Sequence, residues 1–167
     1  MNFNLPDELV EKARLVIEAN RAAGKRIAVA ESCTGGLVAS ALTELPGASD
    51  VFEAGFVTYS DEAKRRRLLV SADVLDMFGA VSVATAWAMA RGVLQALDVD
   101  TAVAVTGIAG PEGGTPSKPV GTVVFARAVR GGTPEEIEAD HKQLDASGGR
   151  SSVRLQAALW ALELLMP

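Results

Sequence analysis

The sequence predicts an α/β domain, a three-layer α/β/α sandwich around a mixed, mostly parallel five-stranded sheet. Two short apolar runs of buried-strand type, Arg26-Ile27-Ala28-Val29-Ala30 and Thr101-Ala102-Val103-Ala104-Val105, alternate with segments of helical periodicity. A hairpin-type pair of strands appears only near the C-terminus. The length of 167 residues suits one domain and is short for two ordinary ones. A core of that size buries roughly 70% of the unfolded surface and needs no staples.

Taken in order, the first element is a helix from Pro6 to Ala23, with Leu9, Val10, Ala13, Val16 and Ile17 on one face and Gly24 ending it. The buried strand at Arg26–Ala30 leads to Gly35-Gly36, which opens a helix running to Leu45 and stopped by Pro46-Gly47. Phe52 to Tyr59 is β-rich. Ser60-Asp61-Glu62 caps a charged helix containing Lys64-Arg65-Arg66-Arg67, and Ser82 caps an alanine-rich helix to Leu97. After the strand at Thr101–Val105 comes a glycine- and proline-rich stretch, Thr106 to Pro119. Val120–Val129 and Glu135–Leu144 form the paired strands, and Ser151 to Leu165 is the last helix.

Composition narrows the function. With 16 basic against 21 acidic residues the net charge is −5, which argues against a nucleic-acid-binding surface. No apolar run reaches the ~18 residues that a membrane span needs, and Met1–Asp7 shows no export signal, so a cytoplasmic protein with no membrane partner is expected. Cys33 and His141 are each the only residue of their type, which excludes an internal disulfide, a cysteine-built zinc site and any site needing two histidines. No cluster of ligating residues suggests a metal.

Open α/β sheets bind ligands beyond the carboxyl ends of their strands, and two segments there have suitable chemistry. Ala30-Glu31-Ser32-Cys33-Thr34-Gly35-Gly36 runs from a buried strand into a helix start. Its glycines allow close backbone approach, and a hydroxyl there could attack a carbonyl while free helix N–H groups hold the oxyanion, each such donor being worth ~10²–10³ in rate. The same residues also make an ordinary helix cap and turn. The second segment, Thr106-Gly107-Ile108-Ala109-Gly110-Pro111-Glu112-Gly113-Gly114-Thr115-Pro116-Ser117-Lys118-Pro119, could form an anion nest to which Thr115 and Lys118 add a hydroxyl and a charge. It also reads as a surface crossover loop. No dinucleotide or P-loop fingerprint is present, nor is Ser-x-x-Lys. His141 alternates with its neighbours on an expected edge strand, as a solvated side chain rather than a base for Ser32 or Cys33. A lysine can serve as base when burial and neighbouring cations lower its pKa toward ~7–8. Three arginines follow Lys64, but spacing alone does not select it over the other lysines.

The string from Ala30 to Gly36 closely resembles the signature of the CinA C-terminal domain family, which includes stand-alone nicotinamide-nucleotide amidohydrolases. Further strings follow in the family's order: Pro46-Gly47-Ala48-Ser49, Gly55-Phe56-Val57-Thr58-Tyr59-Ser60-Asp61-Glu62-Ala63-Lys64, Gly79-Ala80-Val81-Ser82 and Thr106-Gly107-Ile108-Ala109-Gly110-Pro111. Gly113-Gly114-Thr115 and Lys118-Pro119-Val120-Gly121-Thr122-Val123 come close behind. The resemblance extends from about Leu5 to Leu165.

This resemblance implies hydrolysis of the carboxamide of nicotinamide mononucleotide to nicotinate mononucleotide and ammonia, in pyridine nucleotide salvage, without metal or organic cofactor. It implies Ser32 as nucleophile, Lys64 as base and Tyr59 as proton relay. The helix N–H groups after Ser32 would hold the oxyanion, with Thr34 adding its hydroxyl and Gly35 and Gly36 among the substrate-binding residues, and Thr106, Gly107, Gly110, Gly113, Gly114, Thr115 and Lys118 would hold the ribose phosphate. Cys33 reads as a buried small residue. Residues 1–167 are expected to form a single domain without the family's frequent molybdopterin-binding-like N-terminal partner, and to form a homo-oligomer. Two departures stand out. Asp61 replaces the family's frequent Asn, placing a carboxylate where it would favour a protonated Lys64. Ala146-Ser147-Gly148-Gly149-Arg150-Ser151-Ser152-Val153-Arg154 lacks the Phe and Asp of the family's pattern but keeps both arginines. Two other readings stay open: a non-catalytic domain binding a pyridine nucleotide or another phosphoribosyl ligand, and a hydrolase of the same mechanism acting on a different amide.

Overall fold

A computed structural model describes residues 4–167; Met1, Asn2 and Phe3, part of the stretch without an export signal, lie outside them. In chain order the elements are α1 (Asp7–Ala23), β1 (Ile27–Glu31), α2 (Leu37–Thr43), β2 (Phe52–Val57), α3 (Asp61–Leu68), α4 (Ala72–Phe78), α5 (Val83–Ala96), β3 (Thr101–Gly107), β4 (Thr122–Val129), β5 (Glu138–Gln143) and α6 (Gly149–Leu164), with short 3-10 turns at Ala48–Asp50 and Pro134–Glu136. The strands form one sheet in the order β2-β1-β3-β4-β5. β2, β1 and β3 pair in parallel, while β4 is antiparallel to both β3 and β5. Four strands therefore point one way and β4 alone points back, the mixed, mostly parallel sheet expected from the sequence. Among the described residues no helix is long and apolar enough to cross a membrane.

Alternation along the central strands sorts residues by size. Ile27, Val29, Val103, Val105, Val123 and Phe125 face the layer of α1, α2 and α6. Ala28, Ala30, Ala102, Ala104, Ala126 and Ala128 face the layer of α3, α4 and α5. β1 is buried along its whole length, as a strand covered on both faces must be. The alanine face lets α5 lie close to the sheet through its own Ala86 and Ala90.

The serine caps form as the sequence indicates. Ser60 Oγ accepts the Ala63 N–H (3.1 Å) and Ser82 Oγ accepts the Thr85 N–H (3.1 Å). Asp61 and Glu62 in the first turn of α3 and Arg65–Arg67 in its last complement the helix dipole. Several boundaries differ. α2 begins at Leu37 because Gly35 and Gly36 are in left-handed conformations outside the helix. β2 ends at Val57, and a 3-10 turn delays β5 to Glu138. α4 has no counterpart in the sequence expectation; at seven residues it gives under two turns of periodicity, although Ser71 caps it.

One close approach sets α3 against α5 within their layer. A Cβ added at Gly92, inside α5, would lie 2.1 Å from the Leu68 carbonyl oxygen at the end of α3. Gly92→Ala is therefore expected to lower the unfolding free energy by about 1–3 kcal/mol, despite a helix-propensity gain of about 1 kcal/mol. A urea melt checks this; an unchanged or raised midpoint would show that α3 can move off α5 freely.

Candidate active site

The sheet register brings three chain segments to one level. Glu31, the last residue of β1, sits opposite Val57 of β2 and Val105 of β3. The residues that follow, Ser32, Thr58 and Thr106, therefore lie side by side at the carboxyl edge. Main-chain bonds hold this level: Ser32 N–H donates to the Val105 carbonyl (2.9 Å) and Thr58 N–H to the Glu31 carbonyl (2.8 Å).

Lys64 reaches this edge from α3. Helical side chains tilt toward the helix N-terminus, so an inward residue in the first turns points back at the strand ends. Of Lys64-Arg65-Arg66-Arg67, only Lys64 faces inward; it is 1% exposed, whereas all three arginines are solvated. Its Nζ donates to Ser32 Oγ at 3.0 Å and to the Thr58 carbonyl at 2.8 Å. Burial pushes the Lys64 amine below the ordinary lysine range, and the charge of Asp61 opposes that shift without reversing it. Burial is the larger cause, and the Asp61 charge acts in the expected direction against it; of the three following arginines, two pair with Glu62. When the amine is neutral, the same 3.0 Å separation lets it accept the Ser32 hydroxyl proton, within the reach of a general base.

Glu31 is the residue that the sequence reasoning missed. Fully buried, its carboxylate accepts N–H groups from Gly36 (3.0 Å), Val38 (3.1 Å) and Ala39 (2.9 Å). It caps α2 from the strand before it, a role usually taken by a residue at the helix start. The signal was a lone acid ending an otherwise apolar strand. Of the N–H groups after Ser32, that of Gly36 is taken by Glu31, and that of Gly35 donates to the Ser32 carbonyl (3.0 Å). The N–H groups of Cys33 and Thr34 have no partner in another residue among the described residues. The Thr34 and Thr58 hydroxyls are buried without a hydrogen bond. Burial, reinforced by the nearby Glu31 charge, pushes the Cys33 thiol up to about 11, so the neighbouring sulfur stays protonated and unreactive.

Two arginines of α6 close the mouth. Arg154 donates to the Thr34 carbonyl (2.9 Å), pinning the turn after Ser32. Arg150 donates to the Tyr59 hydroxyl (2.7 Å) and to the Gly110 carbonyl (2.7 Å). Tyr59 is 60% exposed and stands at the rim rather than against the dyad. Gly149, where the family's Asp would stand, has φ +74, a conformation that favours glycine.

The glycine loop is less available than its composition suggests. The Thr106 hydroxyl is buried and donates to the Ala80 carbonyl (2.9 Å). A Cβ at Gly110, which has φ +80, would lie 2.5 Å from Val120 Cγ1, so this glycine packs the loop on its own return. Gly107 likewise packs against Val123, and Gly114 against Val120. Thr115 and Lys118 exchange backbone hydrogen bonds in a tight turn beyond Gly113, and Lys118 Nζ donates to the Phe78 carbonyl (3.0 Å). Ser32 and Lys64 thus meet directly, Tyr59 and Gly110 are joined through Arg150, and Lys118, held in a turn with Thr115, ties the loop to α4. Among the described residues no group of three or more His, Cys, Asp or Glu side chains converges as a metal site.

A doubly covered sheet with a serine and a buried lysine meeting beyond its parallel strands defines an α/β protein whose site is assembled on strand ends. More narrowly, the chain belongs to the CinA C-terminal domain family, whose model matches residues 10–167; this bears out the resemblance carried by its motifs. It is 51% identical over 145 residues to a putative competence-damage inducible protein of Symbiobacterium thermophilum, matching 85% of this chain and 34% of that protein. It therefore spans about a third of that relative's length. It is 45% identical over 158 residues to the nicotinamide-nucleotide amidohydrolase PncC of Escherichia coli strain K12, covering 95% of this chain and 93% of that one. The crystal structure of the competence/damage inducible protein CihA from Agrobacterium tumefaciens superposes with a TM-score of 0.91 at 44% identity, covering 99% and 97% of the two chains.

Two outcomes follow from this geometry. A lysine whose pKa is lowered on folding binds fewer protons folded than unfolded, so stability rises with pH between its lowered value and about 10.5. Lys64→Met lacks that contribution, and thermal melts from pH 6 to 10 are expected to show the wild type gaining on the variant as pH rises; parallel curves would contradict the shift. Glu31→Ala strands three N–H donors and is expected to lose more than about 3 kcal/mol, while Glu31→Gln, keeping one acceptor oxygen, loses less. Equal, small losses in a denaturant series would show that the carboxylate does not hold α2.

Proposed function

We propose that the chain is a serine–lysine amidohydrolase acting on the carboxamide of nicotinamide mononucleotide. The observation that carries this reading is the 3.0 Å contact between Ser32 Oγ and a lysine amine that burial keeps below its ordinary pKa. The name of the Escherichia coli relative supports the substrate class.

In this mechanism Lys64 takes the Ser32 hydroxyl proton as Oγ bonds to the carboxamide carbon. The N–H groups of Cys33 and Thr34, with the unpartnered Thr34 hydroxyl, receive the developing oxyanion. The C–N bond then breaks, and the proton held by Lys64 passes to the departing nitrogen, releasing ammonia and leaving an acyl ester on Ser32. Water attacks that ester; Lys64 accepts its proton and returns one to Ser32 Oγ. The sum is carboxamide plus water giving carboxylate plus ammonium. No step calls for a metal or an organic cofactor.

Ammonia release from nicotinamide mononucleotide tests the reading, with Ser32→Ala and a chelator-treated sample alongside. Release that survives the chelator and falls by about 10³-fold or more in the variant is expected, since loss of a nucleophile removes a covalent path. A fully active Ser32→Ala protein would overturn the mechanism. No release from the wild type, with the nucleotide still raising the melting temperature, would identify a non-catalytic binding domain instead.

A further inference from the structure

We infer that Arg150 is a preorganised receptor for a phosphate monoester and that it sets the preference for a phosphorylated substrate. The inference rests on the amidohydrolase reading for the identity of the ligand, but its observations are separate from the dyad.

The first observation is charge. The chain carries a net charge of −5, and Arg14, Arg21, Arg26, Arg65, Arg66 and Arg130 each pair with a carboxylate. Arg150 and Arg154, like Arg67, Arg91 and Arg127, have no carboxylate partner among the described residues; what sets them apart is place, since their bonds go to the Tyr59 phenol oxygen and to the main-chain carbonyls of Gly110 and Thr34, beside the turn carrying Ser32. Four residues apart on α6, they share a helix face, and Arg154 ties that face to the turn carrying Ser32. A guanidinium without a counter-ion is therefore held at the mouth of the site.

The second observation is rigidity. An arginine side chain loses substantial rotamer entropy when it is fixed. Here Tyr59 Oη, after β2, and the Gly110 carbonyl, after β3, each accept a guanidinium N–H at 2.7 Å and fix its plane. Its other N–H groups have no partner among the described residues, and a planar fork of such donors matches phosphate oxygens. The competing cation of the loop, Lys118, is occupied by the Phe78 carbonyl, and the Thr106 hydroxyl by Ala80. Arg150 is thus the cation placed to read the phosphate, a role that loop composition had suggested for Lys118.

The test measures binding without turnover. Ser32→Ala protein is titrated by calorimetry with nicotinamide mononucleotide and with the phosphate-free nicotinamide riboside, and the titrations are repeated in Ser32→Ala/Arg150→Ala and Ser32→Ala/Arg150→Lys. The mononucleotide is expected to bind more tightly than the riboside, and this preference should fall by about 10–100-fold when a charge-assisted contact is lost in the alanine variant. The lysine variant, keeping charge but not the fork, should recover part of it. Inorganic phosphate should compete with the mononucleotide only where Arg150 is present. No preference for the phosphorylated ligand, or a preference that survives Arg150→Ala, would overturn the inference. An Arg150-dependent preference in a protein whose wild type releases no ammonia would uphold the receptor and reject the hydrolase. Ammonia release with an Arg150-independent preference would do the reverse.

Discussion

The removal of one lysine amine from water is the constraint on which the rest of the structure depends. Burial penalises the ammonium form and holds the Lys64 amine below the ordinary lysine range, a shift toward the form that a base for Ser32 would need. The architecture supplies the conditions. Parallel pairing of β1 with β2 brings Thr58 beside Ser32, so one carbonyl and one hydroxyl receive the amine. The Ser60 cap fixes where α3 begins, and therefore which residue of its basic run turns inward. Gly92 lets α5 approach the end of α3, closing the layer around the same side chain. Changes far from Ser32 can therefore alter its chemistry by loosening the enclosure of Lys64.

Glu31 solves the complementary problem. The start of α2 presents N–H groups that would otherwise attract any nearby anion. Its carboxylate engages those of Gly36, Val38 and Ala39, while the amides of Cys33 and Thr34, directly after Ser32, have no partner in another residue among the described residues. The same residue's main-chain carbonyl accepts from Thr58, whose own carbonyl receives Lys64. One residue at a strand end thus joins the turn after Ser32 to the carbonyl that receives Lys64. The thiol beside Ser32 does not compete, because burial raises its pKa.

Much of the fold was legible because its signals are local: apolar runs for the central strands, serine caps for α3 and α5, and a Gly-rich connection before the last pairing. What escaped was short or tertiary. α4 has too few residues to show a period. Lys64 could not be told from its arginine neighbours by spacing, since only the entry angle of α3 decides which residue of the run is buried; the family motif selected it. Glu31 was visible as a charge on an apolar strand, but its three partners lie beyond a turn whose geometry needs two left-handed glycines. The glycine loop misled in the other direction. Its composition suggests a ligand cradle, whereas Gly107, Gly110 and Gly114 are required mainly by close packing on residues 120–123.

Charge then distinguishes the interior of the site from its rim. The interior holds a lysine whose amine burial keeps below its ordinary range, and the rim holds two arginines without a carboxylate partner among the described residues. An anionic ligand approaching an acidic protein gains little from the long-range field, which salt screens beyond about 8–10 Å. Its recognition must come from contact with the rim.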